Sequence, residues 1–298
     1  LVRSSLAKSA SAPISHNQVL QLKDASRMTE TTRTAKTDAA DSVVTQSAAH
    51  IATITLNRPE VQNTISPDML DALCEHLLAA QADPDVRVIV LTGSGRFFCA
   101  GLDMRGGGTA KSLQSDRVVT DLDLRNTPPT VLHALDKPVI CALGSAAGYG
   151  LDLALGCDIR IMSDRAKLSA AFVARGVTPE SGGTWILPRL IGWSKAAELI
   201  FTGRVLDAKG AQDLDLISEA VPEDQLLQRA QALAAEIAAQ APLAVQASKR
   251  MMRMGLNEAF DTHVHRVFLQ LLPLLKTQDF REGMAAFMER RAPDFKGK

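Results

Sequence analysis

The sequence predicts an α/β fold that ends in a helical region. Three observations carry that prediction. Short apolar runs bounded by turn residues recur up to about residue 221. Glycine-bearing loops follow two of those runs directly. From Pro222 onward the apolar residues recur only at helical spacing. Strands and helices in alternation, then helices alone, is the pattern of a layered α/β unit with a helical appendage.

The elements follow in order. Ile51–Leu56 alternates apolar residues with threonine, as a strand does, and Asn57, Arg58 and Pro59 end it in a turn. Ser66, Pro67 and Asp68 then read as the N-cap, first position and acidic first turn of a helix. Met69, Leu70, Leu73, Leu77 and Leu78 would form its apolar face. Residues 86–91 are a nearly continuous apolar run, the mark of a strand covered on both faces. Gly106, Gly107 and Gly108 open a flexible stretch. Val139–Leu143 and residues 159–162 are further strands. In the last part, Leu226, Leu227, Ala230, Leu233, Ile237 and Ala238 share one helix face. Val264, Phe268, Leu271, Leu272 and Leu275 share another, with a kink expected at Pro273. No internal repeat is visible in the sequence.

Residues 1–47 carry little apolar periodicity and much Ser, Thr, Ala and Lys, so they read as a disordered extension. Met28 is a candidate native start. Before it stand Arg3, Lys8, Lys23 and Arg27 with one acid, Asp24, a composition shared by transit peptides and by appended extensions. The rest divides into a core over 48–221 and a helical oligomerisation region over 222–298.

Composition narrows the function. The 33 basic and 33 acidic side chains cancel, which argues against a broad surface for nucleic acid or anionic membrane. No apolar run approaches the roughly 20 residues of a membrane span. Cys74, Cys99, Cys141 and Cys157 include no CxxC pair and lie in apolar or glycine-rich segments, so they read as buried thiols in a reducing compartment. A cytoplasmic protein is expected, or a mitochondrial one if residues 1–27 act as a transit peptide. His263 and His265 stand two apart on a helix and chelate poorly, so no metal is expected.

Three segments could carry chemistry. Phe97, Phe98, Cys99, Ala100, Gly101, Leu102 and Asp103 follow one buried strand. Gly144 to Leu153 follows another and runs into a helix, with Gly148, Tyr149, Gly150 and Asp152 near its start. Each reads either as a tight strand-to-helix turn or as a loop aiming a backbone N–H at a ligand. Two such loops could hold one oxygen, and one oxyanion donor is worth about 3–4 kcal/mol. In the third segment, Glu180 lies between Pro179 and Ser181 just before a helical run. It is either a solvated acid on a helix dipole or a base in an apolar cleft. Dinucleotide and P-loop signatures are absent.

Taken together, "ITLNRPEVQNTIS", "VRVIVLTGSGRFFCAGLDM", "KPVICALGSAAGYGLDLALGCDIRI", "GVTPESGGTWILPRLIG", "FTGRVLDAKGA" and the ending "REGMAAFMERRAPDFKG" resemble the enoyl-CoA hydratase/isomerase, or crotonase, superfamily over residues 48–298. The resemblance implies a spiral of ββα units and a C-terminal helical trimerisation region, giving a homotrimer or a dimer of trimers. It implies a coenzyme A thioester as substrate and no further cofactor. The thioester oxygen would sit between the backbone N–H groups of Ala100 and Tyr149. The backbone of Gln62, Asn63 and Ile65 and of Ala100, Gly101, Leu102 and Asp103 would cradle the adenine and pantetheine, Gly148 and Phe172 would line the substrate site, and Phe287 and Arg290 would reach coenzyme A, often in a neighbouring subunit. The family's hydratases use two glutamates. Their positions are Asp152 and Phe172 here, and phenylalanine can neither hold water nor transfer a proton. Glu180 instead falls where the family's isomerases carry a catalytic acid. The resemblance therefore implies an isomerase with Glu180 as base and Asp152 in support. Hydration of a 2-enoyl-CoA is the alternative, and a non-catalytic binding protein of the same fold is the alternative of another class.

Overall fold

A computed structural model describes residues 42–103 and 127–298. The expectations for residues 1–41 and for Gly106, Gly107 and Gly108 lie outside the described residues.

Strand structure is present before the expected boundary at 48. Strand β1, Val43–Ala48, pairs antiparallel with β2, Ile51–Leu56, from Val43 opposite Leu56 to Ala48 opposite Ile51. β1 is an edge strand whose burial fades along its length. Ladder hydrogen bonds hold it rather than an apolar face, so its sequence shows no apolar alternation. Helix α1, Pro67–Ala82, begins as expected, with Ser66 Oγ accepting from Met69 N at 3.3 Å. Met69, Leu73 and Leu77 turn inward, whereas Leu78 is 48% exposed beside that stripe.

The chain then repeats one move. β3 (Val88–Gly93) is followed by β4 (Phe97–Cys99) and, after the undescribed stretch, α2 (Pro128–Ala134). β5 (Val139–Leu143) is followed by β6 (Ser145–Ala147) and α3 (Tyr149–Leu155). β7 (Ile159–Ser163) is followed by β8 (Lys167–Ser169), α4 (Gly183–Ile191) and α5 (Trp193–Thr202). The first strand of each pair joins a sheet of order β1-β2-β3-β5-β7-β10, and the second joins a sheet of order β4-β6-β8-β9. This is a spiral of ββα turns, closed by β9 (Val205–Asp207), α6 (Ala208–Asp213) and β10 (Glu219–Val221). The pairs β2–β3, β3–β5, β5–β7 and β7–β10 are parallel.

The larger sheet is buried on both faces, as the apolar runs implied. Alternation along β3 sends Ile89 and Leu91 into the main core and Val88 and Val90 to the opposite face. That second face is covered by α7, Leu226–Ala238, through Ala230, Ala234 and Ala238. The expected boundary at 222 therefore misplaces α7, which is part of the core. A helix that covers a sheet and one that awaits a partner chain share the same 3.6 period, so periodicity could not separate them.

The remaining helices are α8 (Pro242–Gly255), α9 (Phe260–Leu274) and α10 (Gln278–Glu289). Charge ties α8 to the connection before β5. Arg250 Nη2 meets Asp136 at 2.6 Å, and Arg253 Nη1 donates to the carbonyls of His133 (2.7 Å) and Leu135 (3.0 Å). α9 has no buried residue and exposes Phe260, Phe268, Leu269 and Leu272. Pro273 lies inside the last turn of α9, and the Leu275 N–H still bonds to Leu271 O beyond it. Among the described residues, no helix is long and apolar enough to cross a membrane.

Ala234 is fully buried against the sheet. Ala234→Leu should destabilise the protein by about 1–3 kcal/mol through overpacking, read by urea unfolding. Unchanged stability would place α7 outside the core.

Candidate active site

β4 and β6 run parallel, with Phe97 opposite Ser145 and Cys99 opposite Ala146. The two glycine-bearing loops therefore leave the smaller sheet side by side. Their main chains touch. A Cβ on Gly150 would overlap the Cys99 carbonyl oxygen, so only glycine fits there. A Cβ on Gly101 would lie 3.2 Å from Ala147 O and 3.9 Å from Tyr149 N. Gly148 caps α3, is buried, and accepts from Leu151 N (2.9 Å) and Asp152 N (3.2 Å). Tyr149 is the first residue of α3, so its N–H has no acceptor within the helix and carries the positive end of the dipole.

Ala100 departs from the expected pair of donors. Its N–H donates to Gln62 O at 3.0 Å, so it is already engaged within the protein. The cause lies in the neighbouring loop. Gln62 and Asn63 both have left-handed backbones, at φ 58° and 53°. Asn63 is fully buried, and its side chain accepts from Arg58 N (2.8 Å) while donating to Ser94 O (2.9 Å) and Phe97 O (2.7 Å). That side chain is a staple between loops. Ile65 bridges the same two segments through its main chain. Its N–H donates to Gly101 O (2.9 Å), its carbonyl accepts from Asp103 N (2.8 Å), and its side chain is buried. Gln62 stays exposed, Ala100, Leu102 and Asp103 stay half-buried, and Asp103 pairs with Arg58 at 3.4 Å.

Asp152 stands one helical turn after Tyr149 on α3, on the same face. It is 1% exposed, and its Oδ2 accepts from Ser181 N at 3.1 Å. Gly183 N is its second donor, and a Cβ on Gly183 would overlap Oδ1. Burial pushes the Asp152 carboxyl up to about 7, with Glu180 adding to the rise and the Ser181 and Gly183 amides opposing it. Glu180 thus sits next to a residue that Asp152 holds directly. Glu180 remains exposed, yet partial burial still raises its carboxyl, opposed by its own backbone N–H. Phe172 is 3% exposed and packs in the same core cluster as Tyr149 and Leu187. Phe287 is 77% exposed near the end of α10 and Arg290 is exposed just beyond it, so within one chain neither is buried against this site.

The structure brings Tyr149, Asp152 and Glu180 together and joins the segments around Gln62 and Ala100 to them. The sequence reading missed Asn63 as a staple and Gly183 as the residue that admits the Asp152 carboxylate. Neither has a signal in a single sequence, because both are defined by a partner distant along the chain. All four cysteines are buried. Burial lifts the Cys99 thiol to about 12 and the Cys74 thiol to about 11, which makes them poor nucleophiles at neutral pH.

Fold and site together define an enzyme of the crotonase type. The family model for enoyl-CoA hydratase/isomerase matches residues 46–298, and the chain belongs to that family. It is 35% identical over 246 residues to a 2,3-dehydroadipyl-CoA hydratase of Escherichia coli K12, covering 82% of this chain and 94% of that one. It is 37% identical over 256 residues to a 1,2-epoxyphenylacetyl-CoA isomerase of the same organism, covering 83% and 95%. A solved enoyl-CoA hydratase from Bacillus anthracis superposes with a TM-score of 0.79 at 32% identity, covering 86% of this chain and all of that one.

A raised carboxyl pKa means that the folded state holds the Asp152 proton more tightly than the unfolded chain does. Its contribution to stability is full below pH 4 and is lost as pH rises toward about 7. Asp152→Asn should remove a stability decline on the order of 3–4 kcal/mol across that window, read by urea unfolding at stepped pH. Parallel pH profiles for the two proteins would show that Asp152 titrates normally.

Proposed function

We propose that this protein is an enoyl-CoA isomerase that shifts a double bond through an enolate, with Glu180 as the base. One observation carries the reading. Of the acid positions the family uses, Phe172 is apolar and buried, and Asp152 is tied to Ser181 and Gly183. Glu180 is the carboxylate left at the surface to take a proton.

The chemistry follows from the geometry. The thioester oxygen accepts from Tyr149 N–H, with Ala100 N–H as a shared second donor. Glu180 removes a proton from C2 of a 3-enoyl-CoA, and the C–H electrons spread through the alkene and the thioester as a dienolate. Stabilising its oxygen lowers the barrier. Protonated Glu180 then returns the proton at C4, leaving a conjugated 2-enoyl-CoA. Asp152 acts through position, fixing the turn that carries Glu180. The raised Glu180 carboxyl suits a base that must be ionised at neutral pH and still hold a proton briefly. Coenzyme A enters as part of the substrate, and no further cofactor is required.

The name of the dehydroadipyl-CoA hydratase relative favours a second reading, water addition to a 2-enoyl-CoA. That reading needs Asp152 to help hold water, against its two backbone donors. The exposed apolar residues of α9 support a homotrimer or dimer of trimers, in which Phe287 and Arg290 could reach a neighbour's coenzyme A.

Glu180→Gln should lower kcat on the order of 10³-fold while the ester still binds, followed by absorbance of the conjugated thioester formed from a trans-3-enoyl-CoA. In the wild type the acid limb of kcat/KM should lie above the ordinary carboxylate range, with activity falling as Glu180 protonates. Gain of one water by a 2-enoyl-CoA, with silence toward the 3-enoyl ester, would establish the hydratase instead. Phe268→Glu should convert a trimer mass to a monomer mass in light scattering, and a monomeric wild type would sink the oligomer.

A further inference from the structure

Tyr149 carries two polar groups, and the reaction above uses only its amide. Tyr149 is 7% exposed and packs in the main core cluster with Phe172 and Leu187. Among the described residues, Tyr149 Oη is a buried side-chain polar atom with no hydrogen-bond partner. Buried hydroxyls are normally partnered, so an orphan beside a ligand site points to a partner that arrives with the ligand. The location fits. The amide that would meet the thioester belongs to the same residue, so the hydroxyl lies within one side chain's length of it, and the phenol feels Cys99 and Cys74 first and then Glu180 and Asp152. A buried, unpartnered hydroxyl on the residue whose amide would meet the thioester is within reach of the first acyl carbons.

We propose that Tyr149 Oη donates a hydrogen bond to a neutral oxygen in the near part of the acyl group, making the preferred substrates oxygenated acyl-CoA esters. This rests on the thioester lying at the Tyr149 amide. Burial, and then the neighbouring thiols and carboxylates, keep the phenol protonated at any physiological pH, so it is a donor. The nearby carboxylates Glu180 and Asp152 disfavour a second anion there. That selects a ketone, ether or hydroxyl over a carboxylate. A site built to satisfy a buried polar group rejects ligands that leave it unpaired.

The test is calorimetric binding of heptanoyl-CoA and of its mono-oxo derivatives, with the keto group moved along the chain. Saturated esters cannot be isomerised, so the result is independent of turnover. The wild type should bind at least one oxo ester about tenfold more tightly than the plain ester. Tyr149→Phe, which removes only the hydroxyl, should bring that ratio to about one. No preference in the wild type, or a preference that survives Tyr149→Phe, overturns the proposal while leaving the isomerase reading intact. Failure of every ester to bind the wild type would sink the thioester reading and this one with it.

Discussion

The geometry of the site depends on one buried carboxylate gripping the start of a helix. Asp152 is almost fully removed from water, which by itself would be costly for a charged group. The amides of Ser181 and Gly183 offset part of that cost, and they flank Gly182, the N-cap of α4. The bond is a side-chain cap supplied from another element rather than from the helix's own N-cap, Gly182, which has no side chain to offer. Its consequence is positional. Tyr149 and Asp152 share α3, and Glu180 sits directly before Ser181. One interaction therefore sets the base relative to the amide that would receive the thioester. Gly183 is a condition of the arrangement, since a side chain there would occupy the carboxylate's space.

A second constraint holds the opposite wall. Asn63 satisfies three backbone groups from two loops with a side chain that never reaches solvent. Consecutive left-handed residues at Gln62 and Asn63 persist because those bonds over-determine the loop. The same twist turns the Gln62 carbonyl onto the Ala100 amide. The two walls are thus unequal. Tyr149 offers an amide at a helix end, and Ala100 offers one that is already engaged.

The helices after Pro222 show how one pattern can serve two ends. α7 buries alanines, which let it approach the larger sheet closely. α9 carries phenylalanine and leucine on its apolar face and leaves them in solvent within a single chain. Both are amphipathic by sequence. What differs is whether a complementary face lies within the same chain.

The sequence by itself determined the strand and helix order, the Ser66 cap, the buried cysteines and the position of Glu180 beside a glycine turn. These are local properties, set by periodicity, turn chemistry and composition over a few residues, and the motifs in register gave the spiral. Edge strand β1, the core role of α7, the Asn63 staple, the engaged Ala100 amide and the unpartnered Tyr149 hydroxyl were decided only by the tertiary structure. Apart from β1, whose ladder partner is the next strand, each is defined by a partner, or the lack of one, far along the chain. Pattern along a chain records which faces are apolar, but not which groups will meet across them.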